Sequence, residues 1–140
     1  MKITQISVFL ENRSGRMRQV CNVLGQNNIN IRALTVAETE SFGVLRIVVD
    51  KPSVAIDVLK KNGFTANITD VVVVEMQDKP GGLADILGIL DENKINVEYM
   101  YAFLEKSADK AMVVFRFEHP EKAVKVLTDN NVTIAKDITV

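Results

Sequence analysis

Apolar and polar positions along the chain follow two alternating rhythms, and each rhythm returns a second time. Ile6, Val8 and Leu10 alternate with Ser7 and Phe9, the period of a strand with one buried face. Met17, Val20, Cys21 and Leu24 then recur at helical spacing, which predicts an amphipathic helix whose apolar stripe holds Cys21 as a buried thiol. A second strand is expected near Asn30–Thr39, a polar turn at residues 40–43, and a third strand at Val44–Val49. Pro52 suits the first turn of a short helix carrying Ala55, Val58 and Leu59, and a last strand is expected at Thr65–Thr69.

Shifting the sequence by 66 positions superposes this series on the second half of the chain. Ser14-Gly15 falls on Pro80-Gly81, Met17 on Leu83, Val20 on Ile86, Leu24 on Leu90, and Ile29-Asn30-Ile31 on Ile95-Asn96-Val97. Two further residues in the second copy bring Lys51-Pro52 onto His119-Pro120 and Val58-Leu59 onto Val126-Leu127, a loop-length change that costs little. Val71–Val74, continuously apolar, reads as a more central strand. The closing strand of the second copy is expected near Thr133–Val140.

The order βαββαβ, twice over, has few packings. Strands two and three pair antiparallel through a tight turn, and right-handed crossovers put both helices on one face. The expected fold class is α+β, with tandem ferredoxin-like βαββαβ units and antiparallel sheets, divided as residues 1–69 and 70–140. Asp70 alone separates the last strand of one unit from the first of the next, and an exchanged strand is an open possibility.

The 140 residues carry 17 Lys/Arg and 18 Asp/Glu. Near-neutral charge removes the simplest case for nucleic-acid binding. No apolar run approaches the length of a membrane span, the N-terminus lacks a signal-peptide pattern, and the single cysteine fits a reducing compartment; a cytoplasmic protein is expected. Residues 1–70 are net positive and residues 71–140 net negative, read as two differently solvated surfaces.

Catalytic sets are missing. His119 is the only histidine and precedes Pro120 at a turn, so no nucleophile–base pair can be built without it, and one Cys with one His makes no ordinary zinc site. Neither a Walker A motif nor a dinucleotide fingerprint is present, and no cofactor or metal is expected.

Two strand-to-helix junctions remain as candidate chemistry. In the first, Asn12, Arg13, Ser14, Gly15 and Arg16 follow the strand, with Ser14 as the expected helix N-cap. Gly15 permits a tight turn, and the amides around Gly15 and Arg16 lie at the positive end of the helix dipole, suited to a carboxylate. Asn12 can donate and accept, as an α-amino acid requires, and Asn30 is expected to approach the same loop from the next strand. The second set is Asp78, Pro80, Gly81, Gly82 and Asn96, with Pro80 in the first helical turn and Asp78 favouring an ammonium group. If one loop alone binds, the first is preferred. Tyr99, Tyr101 and Phe103 share a strand face, and with Phe115 and Phe117 on the next strand they read as packing at an interface.

These junctions, each followed by a helix and by Ile-Asn-Ile or Ile-Asn-Val, resemble the signature of ACT domains, βαββαβ regulatory modules that bind small ligands, chiefly amino acids. The resemblance spans both repeats. It implies a stand-alone tandem ACT protein that binds a free amino acid between units, at Asn12, Gly15 and Asn30 and at Asp78, Gly81 and Asn96. It also implies a homodimer and a partner enzyme of amino-acid biosynthesis. Serine-sensing members carry a histidine where this chain has Leu10 and Met76, so an apolar amino acid is expected. The alternative is a ligand-independent structural or interaction subunit of a biosynthetic enzyme.

Overall fold

The alternation around Ile6 is realised as strand β1 (Ile3–Glu11), which pairs antiparallel with β3 (Phe42–Val49) and sets Val8 opposite Leu45. The computed structural model describes residues 2–11, 13–38, 41–104 and 109–136. The first unit, Thr4–Thr69, continues with α1 (Arg16–Gln26), β2 (Ile31–Glu38), α2 (Pro52–Lys61) and the first residues of β4 (Thr65–Gln77), in the strand order β2-β3-β1-β4. The second unit groups the residues from Asp70 onward with Lys2 and Ile3. It contains the rest of β4, then α3 (Gly82–Glu92), β5 (Val97–Ala102), β6 (Lys110–Phe117), α4 (Pro120–Asp129) and β7 (Thr133–Ile134). There β4 lies between β6 and β7, with β5 beyond β6. Both units are thus α+β, built on the βαββαβ order and antiparallel pairing expected from the pattern.

Each core lies on the helix side of its sheet. Ile6, Val8, Leu45 and Ile47 meet Val20, Leu24, Ala55 and Leu59 in the first unit. Val72, Val74 and Phe115 meet Ile86, Leu90, Ala123 and Leu127 in the second. Burial of each such aliphatic side chain contributes roughly 1.5–3 kcal/mol, which makes these faces the main source of stability. The four helices end alike. Asn27, Asn62, Asn93 and Asn130 are the C-caps, and each side-chain amide donates to the carbonyl four residues back at 2.8 Å. The following residues, Asn28, Gly63, Lys94 and Asn131, adopt positive φ and stop the helix.

Several expectations are corrected. Asp70 does not interrupt the chain: β4 runs through it as one strand of 13 residues. Its exposed carboxylate reads as punctuation in sequence, but a polar side chain pointing to solvent fits a strand. Cys21 is exposed and so is Met17, because α1 turns only Val20 and Leu24 fully inward. Phe115 and Phe117 belong to the helix-side core, stacked with ring centroids 5.4 Å apart, whereas Tyr101 is paired with Val114 on the opposite face. The strand expected at Thr133–Val140 is observed as Thr133–Ile134, and residues 137–140 lie outside the described residues.

Candidate functional site

Both junctions are built around a glycine in the left-handed region. Gly15 (φ +90°) and Gly81 (φ +83°) are the N-caps of α1 and α3, with no side-chain cap. The turn demands positive φ at the cap, which glycine adopts freely, so backbone geometry and not a serine hydroxyl starts the helix. Ser14 is therefore not the cap, and Pro80 precedes the cap instead of occupying the first helical turn.

The hydrogen bonding of the two loops matches. Arg16 N donates to Arg13 O at 3.5 Å, and Gly82 N donates to Lys79 O at 3.0 Å. The first helical bonds are Gln19 N to Gly15 O and Asp85 N to Gly81 O, both 3.0 Å. The amides just ahead of these, on Met17 and Arg18 and on Leu83 and Ala84, have no carbonyl within the helix to bond. Those groups, not the amides of Gly15 and Arg16, form the positive end of the dipole.

The register separates the asparagines from the loops of their own units. In the first unit the loop lies at the end of the sheet where Leu10 meets Gly43 and Glu38 meets Gly43. Asn30 lies at the other end, where its amide donates to Asp50 Oδ1 at 3.0 Å and its carbonyl accepts from Asp50 N at 3.1 Å. The 11 residues of α1 intervene, a span of about 16 Å. In the second unit Asp78 N donates to Asp109 O at 2.7 Å beside the loop, while Asn96 borders a shallow hollow with Glu118, His119 and Lys122 at the far end. A ligand cannot touch Gly15 and Asn30, or Gly81 and Asn96, of the same unit. Closeness in sequence to a helix that reverses direction concealed this. Asn12 lies outside the described residues.

The space behind the loops differs. In the first unit Arg13 and Arg16 border a hollow of about 100 Å³ with Leu10, Met17 and Val36. Arg16 leans over Phe64, its guanidinium carbon 4.8 Å from the ring centroid, and its Nη1 donates to Gln19 Oε1 at 2.7 Å. Its Nε is buried without a hydrogen-bond partner. In the second unit a cavity of about 340 Å³ opens beside α3. Gly82, Asp85 and Ile86 of that helix line it together with Lys79, Lys110 and Val132. Glu75, a further wall residue, pairs with Lys110 at 2.8 Å, and this carboxylate holds the Lys110 ammonium above its ordinary pKa. Sequence reasoning included Gly82 but missed Glu75, Asp85, Lys110 and Val132. The repeat offers the signal: the position of Arg16 is Gly82 in the second copy, and that of Phe64 is Val132.

Comparison with known proteins agrees with this architecture. A crystal structure of protein BT0572 from Bacteroides thetaiotaomicron is 41% identical over 96% of this chain and 92% of that one, with a TM-score of 0.91. The regulatory subunit of aspartate kinase from Thermus thermophilus, in its ligand-free form, shares the fold at 17% identity, covering 90% of this chain and 91% of that one, with a TM-score of 0.67. The corresponding subunit from Thermus flavus aligns at 14% identity over 90% of each chain, with a TM-score of 0.59. Comparison with curated protein sequences returns no match. Among the described residues no helix is long and apolar enough to cross a membrane. The model of the ACT domain pair matches residues 1–139, and the chain belongs to that family.

Proposed function

We propose that this chain is a non-catalytic regulatory protein that binds a free amino acid and, through it, modulates a partner enzyme of amino-acid metabolism. The observation that carries the reading is the duplicated glycine-capped helix start. Gly15 and Gly81 hold the same backbone geometry and leave amides unbonded in both units. Such a turn favours a carboxylate, and membership of a family of paired ACT domains fits ligand-dependent regulation. That two solved relatives of the same fold are regulatory subunits of aspartate kinase supports an enzyme partner.

The residues assigned to ligand binding are those of the loops, Asn12, Arg13, Ser14, Gly15 and Arg16 and Asp78, Pro80, Gly81 and Gly82, with Asn30 and Asn96. Because neither asparagine reaches the loop of its own unit, a ligand held by both kinds of group calls for a second contributor, which agrees with a homodimer. Thermal denaturation in the presence of each of the twenty amino acids at millimolar concentration tests the reading. A binder present at about a hundred times its Kd stabilises by about 2.7 kcal/mol, a clear rise in Tm. No shift with any of them sinks the reading. Capture of a biosynthetic enzyme with amino-acid-independent affinity would instead favour an interaction subunit.

A further inference from the structure

We propose that the second-unit cavity is an amino-acid site contained within one βαββαβ unit. It would take a single apolar α-amino acid, and the equivalent place in the first unit is closed by its own Arg16. The inference rests on the amino-acid-binding reading above and names the site.

The size comes first. A volume of about 340 Å³ lies at the small end of the range of ligand pockets, roughly 300–1,000 Å³. It exists because β7 is matched to β4 only at Val74 and Glu75, so Met76 and Gln77 run past its end with α3 alongside. Gly82 keeps α3 close to this edge, since a Cβ there would stand 2.4 Å from Gln77 O. The absent side chain therefore both seats the helix against the strand and leaves the cavity unfilled.

The lining chemistry has two ends. Met76, Ile86 and Val132 supply apolar wall, while Lys79 and Asp85 place opposite charges on the same cavity. Among the described residues neither Lys79 nor Asp85 has a side-chain partner, whereas Lys110 is engaged by Glu75. A zwitterion with an apolar side chain answers all three features. Its carboxylate takes the Lys79 ammonium, its ammonium takes the Asp85 carboxylate, and its side chain covers the apolar wall. Neutral apolar ligands leave both charges unanswered.

The first unit shows the same site satisfied from within. Arg16 stands where Gly82 does, Phe64 where Val132 does and Gln19 where Asp85 does. Arg16 bonds Gln19 and covers Phe64, so the cationic, polar and apolar demands of that site meet one another inside the unit.

Calorimetric titration of the full chain with valine, leucine, isoleucine, methionine and phenylalanine tests the proposal, alongside V132F and D85N. V132F brings in the bulk found at Phe64, and D85N removes the ammonium partner. At least one of the five amino acids is expected to bind wild type, and affinity should fall roughly ten- to a hundredfold in D85N, as for loss of a charged hydrogen bond. The N-acetyl derivative of the binding amino acid should bind wild type and D85N equally weakly. Should V132F fail to fold, as judged by circular dichroism, D85N and the N-acetyl comparison decide. Binding unchanged in D85N overturns the cavity as the site while leaving amino-acid binding intact. Binding of polar amino acids alone does the same, and absence of binding by all twenty overturns both readings.

Discussion

The Arg16 loop and the Gly82 loop share a backbone and differ in what lies behind it. Both turn on a left-handed glycine, both close with a bond back into the loop, and both start a helix of 11 residues. One places a long cationic side chain over an aromatic ring; the other has no side chain at the same position and a cavity beside it. Backbone geometry in a duplicated motif therefore reports where a ligand could approach, and the residue next to the glycine decides whether there is room. The preference for the first loop, drawn from its neutral Asn12 and its arginines, weighed charge without volume.

If the two units are equivalent in packing and differ only in their loops, matched core truncations should cost the same. Leu24→Ala and Leu90→Ala remove repeat-related side chains that are each 1% exposed. Each should destabilise by about 2–5 kcal/mol in chemical denaturation, with similar losses for the pair. A loss confined to one of them would break the equivalence.

The loops should then diverge. Gly82→Ala forces a Cβ against the Gln77 carbonyl and should lower stability by about 1–3 kcal/mol. Gly15→Ala meets nothing within 4 Å but must hold φ at +90°, a cost of about 1–2 kcal/mol, so it separates dihedral strain from steric clash. Arg16→Gly, which makes the first loop like the second, loses the cation–ring contact and should cost about 1 kcal/mol by thermal melt. If Arg16→Gly is neutral, Arg16 does not hold the first site closed.

The smallest effects concern exposed ion pairs of the second unit. Lys110 titrates above its ordinary value because of Glu75, so whatever the pair contributes is present below the unfolded lysine pKa and is lost as pH rises through the folded one. Glu121 titrates below its ordinary value because of Lys2, so that contribution is present above the unfolded glutamate pKa and fades as pH falls through the folded one. Melts at several salt concentrations across these two ends of the pH scale should show only shallow, salt-screened changes. A steep change at either end would mean that these pairs bind more strongly than their exposure implies.

Much of the fold was legible because local signals agreed: alternation in the strands, helical stripes, prolines opening α2 and α4, and a repeat that pairs each element with its copy. The repeat also placed both glycine loops. What stayed hidden depends on distance in space. Asn30 follows α1 by only a few residues, yet that helix carries it to the far end of the sheet. Asn131, Val132 and Thr133 line the cavity from a turn some fifty positions after Gly82, and no local pattern joins them. Cys21 satisfies the spacing of an apolar stripe but falls at its margin, since spacing fixes direction around a helix and not the width of what covers it.

Lys2, which pairs with Glu121, and its neighbour Ile3 group with the second unit although β1 mostly serves the first. During synthesis these residues emerge first and must wait for nearly the whole chain before finding their place. The second unit therefore matures only when both ends of the polypeptide are in hand, and an affinity tag fused ahead of Lys2 would act on the half of the chain made last.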